Sequence, residues 1–175
     1  MNIPNTLSVL RILLSPFIPI LVAKEKYLLS LFLIVFLALT DFLDGYIARK
    51  FNQETRRGKI LDPLGDKVFT TFSLFSYTFL SRYTLNSSIF FLLLFRDILL
   101  VLGGIILLRK NILPSPSIYG KLTTFFVSLC LVIVAVLNIH FIRILQNLLT
   151  ALEILTLSFI SISLLHYTLV YYRKL

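Results

Sequence analysis

The apolar residues of this chain come in blocks of about 20, long enough to cross a bilayer core of about 30 Å. Six segments stand out: about Leu7 to Ala23, Tyr27 to Ile47, Asp62 to Leu80, Ile89 to Leu108, Leu122 to Ile139 and Ile144 to Tyr172. The first is the weakest, being short and carrying Arg11, Pro16 and Pro19. All six are expected to be helices, because a lipid-exposed backbone must satisfy its own hydrogen bonds. Hydrophobic residues make up 58% of the 175 and charged residues 14%, which excludes a disordered chain, a collagen-like repeat and an ordinary water-soluble fold. The expectation is an all-α integral membrane protein with six transmembrane helices, forming a single domain over residues 1–175.

Lys and Arg number 17 against 8 acids, a net charge of +9. The loop after the second segment holds Arg49, Lys50, Arg56, Arg57 and Lys59. Arg109, Lys110 and Lys121 follow the fourth segment, and Arg173 and Lys174 end the chain. The other side receives Lys24, Lys26, Arg82 and Arg143. This bias places the basic loop and both termini in the cytoplasm. Nucleic acid is not an expected partner, because no basic, aromatic-interleaved soluble module is present; anionic lipid or a phosphorylated substrate is compatible with the same charges. Lys24-Glu25-Lys26 follows the first segment where a signal peptide would carry a small-residue cleavage site, so that span is read as retained. A short chain with no targeting peptide points to a bacterial inner membrane. Cys130 lies in an apolar run and is read as a small buried hydrophobe.

The acids are Glu25, Asp41, Asp44, Glu54, Asp62, Asp66, Asp97 and Glu153. Four aspartates lie between positions 41 and 66, at the two helix ends that flank the basic loop. A carboxylate in a membrane segment costs a few kcal/mol or more. Asp41 and Asp44 are three residues apart and share a helix face; Asp62 and Asp66 are four apart. Asp62 before Pro63 suits a helix N-cap followed by proline at the first helical position. One such aspartate could cap a helix or pair with Arg49, Arg57 or Lys67. Four together repel unless cations neutralise them. Hard divalent ions with oxygen ligands fit, Mg²⁺ or Mn²⁺, and two of them could be held. Gly45 and Gly58 would let a bulky ligand approach the backbone closely.

Asp41-Phe-Leu-Asp44-Gly45-Tyr-Ile-Ala48-Arg49, then Gly58, Asp62 and Asp66, fills the pattern D-x-x-D-G-x-x-A-R-x8-G-x-x-x-D-x-x-x-D. This resembles the signature of the CDP-alcohol phosphatidyltransferase family at every fixed position. The resemblance implies a six-helix membrane enzyme, usually a homodimer among membrane lipids, that displaces CMP from a CDP-linked lipid with an alcohol hydroxyl. It implies Asp41, Asp44 and Asp62 as metal ligands and Asp66 as both ligand and general base. It also places Gly45, Arg49, Thr55 and Gly58 along the CDP moiety.

The opening Asn2-Ile3-Pro4-Asn5-Thr6-Leu7-Ser8-Val9-Leu10-Arg11 and the stretch Asp62-Pro63-Leu64-Gly65-Asp66-Lys67 resemble members that use glycerol 3-phosphate. The expected substrates are therefore CDP-diacylglycerol and a small phosphorylated alcohol. Arg96, an arginine inside an apolar span, and Lys121, in Gly120-Lys121-Leu-Thr-Thr124, are the candidates to hold the acceptor phosphate. Thr123 and a Phe-Phe-Val run stand where those members carry a second lysine and a glutamine. Arg96-Asp97 with Pro114-Ser115-Pro116-Ser117 resembles members whose acceptor is phosphatidylglycerol, and inositol phosphate is a further alternative. A cation transporter is the non-enzyme alternative, but its acids would be spread through the membrane depth. His140 and His166 are read as interface or packing residues, Glu153 as a hydrogen-bonding group toward a neighbouring helix or at a dimer contact, and Tyr167, Tyr171 and Tyr172 as membrane-interface anchors.

Overall fold

The computed structural model describes the backbone of residues 3–50, 58–109 and 117–174, and the side chains of 6–41, 63–103 and 117–169. Helices account for the regular structure of the described residues: α1 (Ile3–Leu14), α2 (Phe17–Ala23), α3 (Tyr27–Lys50), α4 (Gly58–Phe79), α5 (Ser87–Arg109), α6 (Ile118–Ile139) and α7 (Arg143–Lys174). Among the described residues, Thr6–Ala23, Ile118–Ile139 and Arg143–Leu169 are long and apolar enough to cross a membrane, and Tyr27–Asp41 is a shorter apolar helix. Exposed Leu28, Phe32, Val35, Phe36 and Leu39 recur at helical spacing along α3. Such a continuous apolar face suits acyl chains rather than water.

Two sequence expectations need correction. The first apolar segment is two helices, because Pro16 has no N–H to continue the ladder. At the break, the Ser15 backbone N–H and hydroxyl both donate to the Arg11 carbonyl, at 3.0 and 2.6 Å. The second correction concerns α4, which begins at Gly58, so Asp62 is not its cap and Pro63 lies inside the helix. The φ that proline fixes is itself helical, so the apolar periodicity can extend back through it for one turn at the loss of one hydrogen bond.

The chain divides into two compact units. The first comprises residues 1–84 and 135–140. Here α1 and α2 both pack against α3 and α4. Ile18, Val22, Ile34, Leu37, Leu74 and Tyr77 are buried in it. The Tyr77 phenol is satisfied within this core by the Ser30 hydroxyl at 2.6 Å. Asn138 closes the unit: its Oδ1 accepts from the Tyr83 N–H and its Nδ2 donates to the Tyr83 carbonyl, both at 2.9 Å.

The second unit comprises residues 85–134 and 141–175. There α5 packs on α7. Phe126 stacks on Phe159 with centroids 5.0 Å apart. Cys130 is buried, with its Sγ 3.5 Å from the Thr156 hydroxyl. Glu153 accepts the Asn86 backbone N–H at 2.9 Å, just before α5. His166 packs its ring against those of Tyr119 and Tyr167.

Candidate active site

The site in the first unit is built by three helices. α3 carries Asp41, α4 carries Asp66, and α1 carries Arg11. Arg11 is fully buried, which for a guanidinium is costly unless anions meet it. Its Nη1 lies 2.9 Å from Asp41 Oδ1 and donates to Asp66 Oδ1 as well. The two carboxylates, 46% and 48% exposed, therefore sit over a cation that is 0% exposed. The charge is layered, with the guanidinium as floor and the carboxylates at the open side.

Gly65 makes this approach possible. A Cβ there would lie 3.3 Å from the Ser8 carbonyl oxygen and 3.6 Å from Arg11 Nη1. Without it, α1 comes close enough to α4 for Arg11 to reach the next residue, Asp66.

Half-exposed carboxylates from two helices are the kind of donor that a hard divalent cation takes. Asp41 and Asp66 fit such a role by chemistry and by meeting at one point. The backbone is helical at Asp44 and Asp62 too, while their side chains lie outside the described residues. Gly45 and Arg49 fall on α3 and Gly58 opens α4, again with surroundings outside the described residues; Thr55 lies outside them altogether. Among the described residues no three acidic, His or Cys side chains cluster.

The second unit holds the two candidate acceptor residues. Arg96 on α5 is 3% exposed. Its Nη2 lies 3.2 Å from the Asp97 carboxylate, while its Nε and Nη1 find no hydrogen-bond partner among the described residues. Lys121, in the first turn of α6, is exposed. At the same helix end the Ser117 hydroxyl caps the Gly120 N–H at 3.0 Å, and the Tyr167 hydroxyl accepts from the Ser117 N–H at 3.4 Å.

Sequence reasoning missed Arg11 and assigned the nearby cations Arg49, Arg57 and Lys67 as possible partners of the aspartates. The available signal was its position: an arginine inside an apolar run demands an anion, as was argued for Arg96.

An all-helical membrane protein with paired aspartates on adjacent helices defines a narrow class. The profile of the CDP-alcohol phosphatidyltransferase family matches residues 1–159, and the chain belongs to that family. It is 58% identical over 169 residues to the CDP-diacylglycerol--glycerol-3-phosphate 3-phosphatidyltransferase of Aquifex aeolicus (strain VF5), covering 97% of this chain and 95% of that one. A Pseudomonas fluorescens protein of the same description is 42% identical over 77 residues, 42% of this chain and 40% of the relative. The CMP-forming cardiolipin synthase of Rattus norvegicus is 34% identical over 121 residues, 69% of this chain but only 39% of the relative.

Proposed function

We propose that this enzyme transfers the phosphatidyl group of CDP-diacylglycerol to glycerol 3-phosphate, releasing CMP and forming phosphatidylglycerophosphate. The meeting of Asp41 and Asp66 on one guanidinium carries this reading, because it joins the first and last aspartates of the D-x-x-D…D-x-x-x-D pattern in one cluster. The similarity to the Aquifex relative over nearly the full length of both chains supports glycerol 3-phosphate as acceptor.

In this reading Asp41, Asp44, Asp62 and Asp66 hold Mg²⁺ or Mn²⁺, two ions in all. Bound there, the ions would neutralise charge on the diphosphate and on the departing CMP. The acceptor oxygen forms a bond to the lipid-side phosphorus as the bond to the CMP oxygen breaks. Asp66 receives the proton of the attacking hydroxyl. A carboxylate is a far weaker base than an alkoxide, so proton transfer accompanies bond formation, and positioning supplies much of the rate. Gly45, Arg49, Thr55 and Gly58 flank the CDP moiety, with Arg49 suited to a forked phosphate contact.

Arg96 supports an anionic acceptor. A guanidinium that is 3% exposed, with Nη2 on Asp97 and with Nε and Nη1 unpartnered among the described residues, has donors left for a second oxyanion. Lys121 adds a second cation for the acceptor phosphate. Transfer to phosphatidylglycerol is the second reading, favoured by the similarity to the rat cardiolipin synthase. Six spans, a homodimer, and both termini and the active site on the cytoplasmic side of a bacterial inner membrane complete the proposal, supported by the lysine and arginine bias.

The test of the assignment is Asp66→Asn. CMP release should fall by about 10²-fold or more, the usual contribution of a general base, while the helical circular dichroism is unchanged. Full activity in a folded Asp66→Asn protein would overturn the role given to Asp66.

A further inference from the structure

Arg11 has no place in the transfer chemistry described above, yet it is the best-buried charge among the described residues of the first unit. It is 0% exposed, and one of its nitrogens serves both Asp41 and Asp66. We infer that Arg11 is a positioning residue that acts as the resident counter-cation of the aspartate site, partly neutralising Asp41 and Asp66 before a divalent ion arrives and weakening the binding of that ion on its own. This rests on the metal role proposed for the two aspartates.

The four aspartates of the proposed metal site carry −4 together, and Arg11 brings the cluster to −3. Two divalent ions then take it to +1. Without Arg11 the same ions would meet −4 and leave the cluster neutral. A fixed cation close to the site repels the incoming ion through a protein interior that screens poorly. It also leaves the loaded cluster positive, a state that an anionic diphosphate favours. Retention of the ion is thereby tied to arrival of the CDP-lipid. Gly65 keeps the guanidinium in place, since its missing side chain lets Arg11 pass alongside α4.

The experiment is Mn²⁺ titration, followed by electron paramagnetic resonance, of the full chain in lipid nanodiscs without any substrate. Wild type, Arg11→Gln and Arg11→Lys are compared. Arg11→Gln should bind Mn²⁺ about tenfold more tightly or better, and Arg11→Lys, which keeps the charge, should stay near wild type. Mn²⁺ should also raise the melting temperature of Arg11→Gln more than that of wild type, because an ion that binds the folded state more tightly stabilises it more. A purely structural arginine would lower the melting temperature equally with and without Mn²⁺ and leave the affinity unmoved; that result overturns the proposal. Weaker Mn²⁺ binding by Arg11→Gln overturns it too. Absence of Mn²⁺ binding in all three proteins would remove the metal site itself, a failure that is separately recognisable. If Arg11→Gln does not fold in chelator, Arg11→Gln/Asp41→Asn decides: recovery of the fold without metal supports charge neutralisation, and no recovery overturns it.

Discussion

Gly65 stands where α4 passes the Ser8 carbonyl and the Arg11 guanidinium, and a methyl group there has little room. Backbone at 3.3 Å cannot move as a side chain tip can. Gly65→Ala should therefore destabilise the protein by about 1–3 kcal/mol, the usual cost of overpacking, and lower CMP release by displacing Arg11 from Asp66; thermal melting and the activity assay on one preparation check both. Asn138 offers a second case at this scale. Its amide meets both polar groups of the Tyr83 backbone. Asn138→Leu should cost about 1–3 kcal/mol, the penalty for leaving such groups unsatisfied, measurable as a lowered melting temperature. The four aspartates were legible in the sequence because carboxylates at a membrane-segment end need an exceptional reason. Arg11 was not legible as the partner of Asp41 and Asp66, since it lies 55 residues before Asp66 and only the packing of α1 on α4 joins those two. Glu153 was read as a hydrogen-bonding group, and its partner is the Asn86 N–H ahead of α5.

Helix ends decide the scale above. α2 finishes in a Schellman turn: the Lys26 N–H bonds the Leu21 carbonyl and the Glu25 N–H bonds the Val22 carbonyl, both at 2.9 Å. Glu25 occupies the left-handed position with φ 56°. Glycine adopts that conformation without the steric penalty of a Cβ. Glu25→Gly should stabilise the protein by about 0.5–1 kcal/mol, seen as a raised melting temperature; a lowered one would contradict this account of the turn. Most segment positions were legible from apolar blocks alone, because a bilayer leaves helices as the open choice for isolated spans. The prolines of the first segment were noted, but whether Pro16 kinks or breaks the helix depends on what α1 and α2 pack against. Pro63 misled in the opposite direction: it marks a helix start in many sequences, and here α4 already runs from Gly58.

At the scale of the molecule, the D-x-x-D-G pattern indicated the family before any coordinates, because its spacing places carboxylates that no simple packing requirement would. The chemistry of the acceptor was less legible. It depends on cations far apart in sequence, Arg96 and Lys121, whose relation to one another is set by tertiary structure. The direct measurement is CMP release by purified protein with CDP-diacylglycerol and Mg²⁺ or Mn²⁺, offering glycerol 3-phosphate and phosphatidylglycerol separately, with a chelator control. CMP release is expected with glycerol 3-phosphate, abolished by chelation and restored by the divalent ion. Release with phosphatidylglycerol alone would replace the acceptor, and release undiminished by chelation would contradict the central role of the aspartate site.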